Sequence, residues 1–192
     1  MERGAMMRIT ICGIPELGAH CEAGVTHVLS ILDPGWPDPV AFADFPPHRR
    51  EALRFDDVIA ELPGVVAPSA VDVAALLAFG REAAEAGAAG HVLIHCHAGV
   101  SRSTASAALL LAQADPARPA AAIFDEIGRL RPRAWPNLRL LELGEAALGR
   151  QGEIVPAVAR QYRRVLAADP VFGNYIRENG RGREVELAER GA

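Results

Sequence analysis

The chain has 192 residues, half of them apolar, a formal charge of −4 and a sequence pI near 5.9. That length suits one core of ordinary size, and the charge excludes the global positive field that draws a protein to nucleic acid or an anionic membrane, so any anion binding must be local. Three cysteines, Cys12, Cys21 and Cys96, no signal-peptide pattern in "MERGAMMRIT" and no apolar run of the roughly 20 residues a membrane span needs lead us to expect a cytoplasmic protein.

In chain order, "MRITIC" and "VTHVLSIL" are short β-branched runs and read as strands. "DPGWPDP" is turn chemistry. In "EALRFDD" Leu53 and Phe55 alternate with Arg54 and Asp56, which predicts a strand ending at a pair of aspartates. Ser69 and Asp72 have the spacing of a capping box, and Val73, Leu76, Leu77, Gly80 and Ala84 share a face, so a helix is expected over about 69–86, closed by Gly87. "HVLIHC" is apolar without alternation, the pattern of a strand buried on both faces. From Ser101 the small and straight-chain residues of "SRSTASAALLLAQA" favour helix until Asp115 and Pro116. Two more helices follow, one with Ile123, Phe124, Ile127 and Leu130 ending at Arg131 and Pro132, the other capped by Asn137 and carrying Leu138, Leu141 and Leu148. A last helix spans about 156–168, and the polar "RENGRGREVELAERGA" is expected to fray. Strands early and helices late give an α/β class: a central mixed or mostly parallel sheet with helices on both faces.

The chemistry concentrates in "HCHAGVSRS". A helix that begins directly after a tight loop leaves its first N–H groups unpaired with the positive end of the dipole behind them, and Gly99 lets the loop amides turn inward as a nest. Phosphate or sulfate fits such a bowl, and Arg102 can offer it a planar two-donor fork. Cys96 at its floor would be a thiolate at neutral pH and a competent nucleophile. Neither Cys12 nor Cys21 has an arginine six positions on or a small loop feeding a helix, so both read as packing residues. His95 and His97 flank Cys96, but neighbouring strand residues point to opposite faces and no second Cys/His pair stands at ligand spacing, so no metal is expected.

These residues resemble the H-C-x-x-G-x-x-R-[ST] signature of the cysteine-dependent protein tyrosine phosphatases, at every fixed position, and the Ala-Gly-x-Ser-Arg-Ser form is similar to the dual-specificity branch and to small bacterial-type enzymes of it. The likeness runs more weakly from about residue 8 to 150 and includes "RPRAWPNL". It implies a catalytic domain over 1–150 with the phosphate loop between a central strand and a helix; residues 151–192 lie outside the likeness and are expected to form a helical extension packed on that domain, with a polar tail. It also implies phosphoryl transfer to Cys96 without metal or cofactor, with Arg102 and the amides of His97, Ala98, Gly99, Val100 and Ser101 holding the phosphoryl oxygens. By the same resemblance Ser103 hydrogen-bonds the thiolate, His95 fixes the loop from the strand side and Asn137 braces it.

Expelling the leaving oxygen calls for a proton donor. "WPD" at Trp36 to Asp38 copies the acid-loop tripeptide of the larger tyrosine-specific enzymes, but a strand and a long helix are predicted between it and Cys96. In the dual-specificity pattern a strand of alternating apolar residues runs into the acid, and Leu53, Phe55 and Asp57 reproduce it, with Asp56 a rival because the gap to Cys96 is longer than usual. The expected partner is a phosphorylated protein or peptide bearing phosphotyrosine, or also phosphoserine or phosphothreonine. The alternatives are a phosphoinositide or nucleotide phosphatase and a phosphate-binding pseudophosphatase. His48, Arg49 and Arg50 read as a solvated basic turn and Trp36 as cover for an apolar edge.

Overall fold

The computed structural model describes residues 7–190. Strands β1 (Arg8–Gly13), β2 (His27–Leu32), β3 (Arg49–Arg54) and β4 (His91–Cys96) form one parallel sheet in the order β1-β4-β2-β3. Because β4 lies between β1 and β2, all six of its residues are buried, which is why its sequence carries no polar alternation. The register sets Gly13 beside Cys96 and Ser30 beside His95. The carboxyl ends of β1 and β4 and the loop after β2 therefore meet at one edge, where open α/β sheets collect ligands.

The two faces of the sheet are unequal. On one, α1 (Ala70–Glu85) and α2 (Arg102–Ala114) pack directly on the strands. Behind them lie α3 (Ala120–Leu130), α4 (Leu138–Ala147) and α5 (Ile154–Ala168), followed by the shorter α6 (Phe172–Glu178) and α7 (Gly182–Glu189). The other face carries two short 3-10 helices, Ile14–His20 and Val40–Asp44, around Cys12, Leu17, Val28, Phe45 and Leu93. Every residue of α2 from Arg102 to Ala112 is buried, and its alanines, serines and threonine give it the slimness to run through the middle of the helical layer. The Ser69 capping box and the Asn137 cap both form as expected: Asp72 N donates to Ser69 Oγ, and Leu140 N to Asn137 Oδ1. Leu93 and Leu109 are fully buried, sites where truncation to alanine costs about 2–5 kcal/mol.

Over the described residues the polar tail is not frayed as expected: α6 and α7 are formed, and Arg181, Glu184, Val185 and Ala188 are buried, while the last two residues of the segment lie outside the described residues. Composition misled because its charges compensate one another inside. Arg181 donates from Nε and NH2 to Glu184 Oε2 (2.9 Å) and Oε1 (2.7 Å), and Trp135 Nε1 and Leu138 N complete the carboxylate at 2.5 and 2.9 Å. Trp135 in turn stacks on Tyr162 of α5 with centroids 4.3 Å apart, so α5 and α7 are fastened to the segment just before α4.

Candidate active site

The loop from Cys96 to Arg102 leaves β4 and enters α2. Gly99 has φ 68°, a left-handed conformation that costs other residues about 1–2 kcal/mol, and a Cβ there would sit 2.5 Å from the carbonyl carbon of Cys12. The loop is thus pressed onto the end of β1. Its carbonyls are all engaged from outside: Ile14 N donates to His97 O (3.0 Å), Arg131 NH2 to Ala98 O (3.2 Å) and Arg131 Nε to Gly99 O (3.1 Å). Trp135 N and Thr104 Oγ1 take Val100 O, and Thr104 Oγ1 and Ala105 N take Ser101 O. Planar peptides with carbonyls out turn the following N–H groups in, and the amides of 98–101 have no protein acceptor among the described residues. The result is a concave ring of amide donors, a shape that suits an oxyanion.

Cys96 lies at its floor, 3 % exposed, with Sγ 3.2 Å from Ser103 Oγ. Arg102 is equally buried and is anchored through NH1 alone, which donates to Asp33 Oδ1 (2.6 Å) and Phe55 O (2.7 Å). Its buried Nε has no hydrogen-bond partner among the described residues, and Arg102 lines the same cavity as Cys96. His97 lies 3.6 Å from Asp33, with its ring against Trp36, centroids 4.4 Å apart. Burial lowers its pKa, Asp33 opposes and Arg102 adds to the lowering. His95 stands behind the loop, fully buried, Nε2 2.7 Å from Ser30 Oγ. Burial, then the Arg50 guanidinium, lower it to about 4, which keeps it neutral. Cys12 is pushed up to about 12 by burial and then Glu16, as suits a packing thiol.

The three candidate aspartates separate by position. Asp38 is exposed and pairs with Arg50 and Arg54 at 3.1 and 2.5 Å, outside the cavity. Asp56 accepts from Val66 N at 2.8 Å. Asp57 lines the same cavity as Cys96 and Arg102. Its Oδ1 accepts from Ser101 Oγ (2.7 Å) and Asn137 Nδ2 (2.9 Å), and its Oδ2 pairs with Arg181 NH1 at 3.0 Å. Burial would raise its pKa, but the Arg181 and Arg102 guanidinia and the Asn137 and Ser101 hydrogen bonds outweigh burial and hold it below the usual carboxyl range. Asn137 therefore braces the aspartate as well as capping α4.

The cavity encloses about 700 Å³. Opposite the loop its wall is α6 and the residue before it, chiefly Val171, Phe172, Tyr175 and Ile176, with Arg133 lying over the Phe172 ring at 5.6 Å. Asp33 and Arg181 are residues around the site that the sequence reading missed, and Arg131 entered it only within "RPRAWPNL", with no role of its own. Each acts across a long sequence separation, so no local spacing marks it. The expected basic turn is in part a strand: Arg49 and Arg50 open β3, which ends at Arg54 rather than at the aspartate pair, and they are engaged, since Arg50 Nε donates to Ser30 Oγ and Arg49 pairs with Glu82.

No protein-family model matches the sequence, and no curated protein matches it. Solved structures do. Human DUSP28 superposes with a TM-score of 0.56 at 22 % identity, over 74 % of this chain and 95 % of that one. Tk-PTP in its active form gives 0.54 at 19 % identity, over 78 % and 99 %. PTPMT1 in complex with PI(5)P gives 0.53 at 16 % identity, over 74 % and 90 %. Those proteins are covered almost end to end while about a quarter of this chain is left over. No helix among the described residues is long and apolar enough to cross a membrane. A parallel sheet with its cysteine loop set between the central strand and a buried helix, superposing on these structures, gives this chain the fold of the dual-specificity, cysteine-dependent phosphatases.

Proposed function

We propose that the chain is a phosphatase that hydrolyses aryl phosphates, phosphotyrosine in a protein or peptide foremost, through a cysteinyl-phosphate. The observation that carries this is Arg102: fixed at NH1 by Asp33 and Phe55, it keeps a buried Nε without a partner among the described residues and lines one cavity with Cys96 and the loop residues Ala98, Val100 and Ser101. Preorganised donors of this kind stabilise charge developing on transferred phosphoryl oxygens and usually supply the largest share of catalysis.

In the first step Cys96 Sγ attacks phosphorus, the P–O bond to the leaving group breaks, and Asp57 gives its proton to the departing oxygen. In the second, water attacks the phosphocysteine, its proton passes to Asp57, and the P–S bond breaks. Ser103 Oγ, within 3.2 Å of the sulfur, donates to the returning thiolate. The apolar wall of Val171, Phe172 and Tyr175 gives an aromatic leaving group something to pack on, which favours phosphotyrosine over the shorter phosphoserine.

Cys96→Ser should abolish turnover while leaving oxyanion binding largely intact, and normal turnover in that variant refutes the covalent route. Asp57→Asn should slow phenyl phosphate about 10²–10⁴-fold, and a phosphate ester with a good leaving group much less. A uniform loss across leaving groups removes Asp57 as the acid. Faster turnover of a phosphoinositide than of phosphotyrosyl peptides would shift the substrate to the lipid class, which is the ligand in the PTPMT1 complex.

A further inference from the structure

Asp57 is held from three elements other than its own: by Ser101 of the loop, by Asn137 at the cap of α4, and by Arg181 ahead of α7. All three partners donate. Both carboxylate oxygens therefore act as acceptors, a setting that suits the ionised form, whereas a general acid must first take up a proton. The other titratable groups facing Asp57 are Arg102 and His97 from the loop and Tyr162 from α5, with Glu184 behind Arg181. Of the charged ones, Arg181 is the group in direct ion contact.

Arg181 itself has almost no freedom. It is buried, and its Nε and NH2 are spent on Glu184, which is fully buried and fixed by Trp135 and Leu138. NH1 is left aimed at Asp57. We infer that Arg181 is a positioning residue for the proposed acid: it fixes the carboxyl of Asp57 over the cavity and restrains its uptake of a proton, which makes the C-terminal segment part of the active site.

This inference rests on the reading of Asp57 as acid, and the test separates the two. The variant is Arg181→Met/Glu184→Gln, because removing the guanidinium alone would strand Glu184 as a buried unpaired charge, whereas replacing both partners is better tolerated. Its folding is checked by thermal melting. The readout is the pH at which Asp57 titrates, followed by NMR at the Asn137 side-chain amide, which donates directly to it. The midpoint should rise by about one pH unit or more, since an adjacent opposite charge is worth at least that to a carboxyl. Arg181→Lys, which keeps the charge, should stay close to the wild type. An unchanged midpoint in the double variant overturns the inference, and so does a lysine variant that shifts as far as the methionine one. Asp57→Asn is assayed alongside with good and poor leaving groups. If it shows no leaving-group-dependent loss, the acid assignment falls, and the catalytic meaning of Arg181 falls with it, whatever the titration shows.

Discussion

Glu184→Ala should be among the most damaging single changes outside the loop. The carboxylate is fully buried and accepts from Arg181 Nε and NH2, Trp135 Nε1 and Leu138 N at 2.5 to 2.9 Å. Alanine would leave a buried guanidinium with Asp57 as its remaining acidic partner, and an indole N–H and a helix N-terminal amide with none. Breaking a buried pair from one side costs about 3–5 kcal/mol. In a chain of this size each kcal/mol moves Tm by about 2–4 °C, so the melting point followed by circular dichroism should fall by roughly 6–20 °C. Arg181→Met/Glu184→Gln should recover most of that loss, because both charges leave together. A Glu184→Ala melt within about 2 °C of the wild type would show that α7 is not fastened through this carboxylate.

Asp33→Ala should lower kcat/KM for an aryl phosphate about 10- to 100-fold by leaving NH1 of Arg102 with Phe55 O as its one remaining anchor, while Asp33→Asn, which keeps an acceptor oxygen, should lose far less. Equal activity in wild type and Asp33→Ala would remove Asp33 as the anchor. Gly99→Ala forces a Cβ into the backbone of Cys12 and Gly13 at a positive φ, so turnover should drop about 100-fold or more. Wild-type kinetics would mean the loop is not pressed on β1. His95, buried and lowered to about 4 from an ordinary 6.5, is neutral in the fold when the unfolded chain has already bound a proton. Stability should therefore be lost as pH falls from 6.5 toward 4, by about 3 kcal/mol in denaturant titrations, and His95→Gln should flatten that loss. A pH dependence identical in His95→Gln would contradict the burial of a neutral imidazole.

The parts legible in the sequence are those whose cause is local. The span "HVLIHC" declares a buried strand because all six residues lack polar alternation, and the following loop and helix declare an oxyanion site because Cys96, Gly99, Arg102 and Ser103 lie within eight residues. The caps Ser69 and Asn137 act within three residues of themselves and were readable for the same reason. Asp33, Arg131 and Arg181 act across the fold, and each looks in sequence like an ordinary surface charge. The tail was misread because composition counts Arg181 and Glu184 as two solvent-seeking charges, when packing makes them one buried pair. The "WPD" tripeptide shows the converse: a motif copied in sequence, yet carried by a turn whose aspartate pairs with Arg50 and Arg54 outside the cavity.

The covalent route is tested most directly by acid-quenched mass spectrometry of the protein mixed with an aryl phosphate. Cys96 shares its cavity with Arg102 and the loop, so the peptide containing it should gain the mass of one phosphoryl group, formed as the phenol is released and lost as phosphate appears. The adduct should be missing in Cys96→Ser. Turnover with no adduct on Cys96 at any quench time, or an adduct on another residue, would contradict the covalent route.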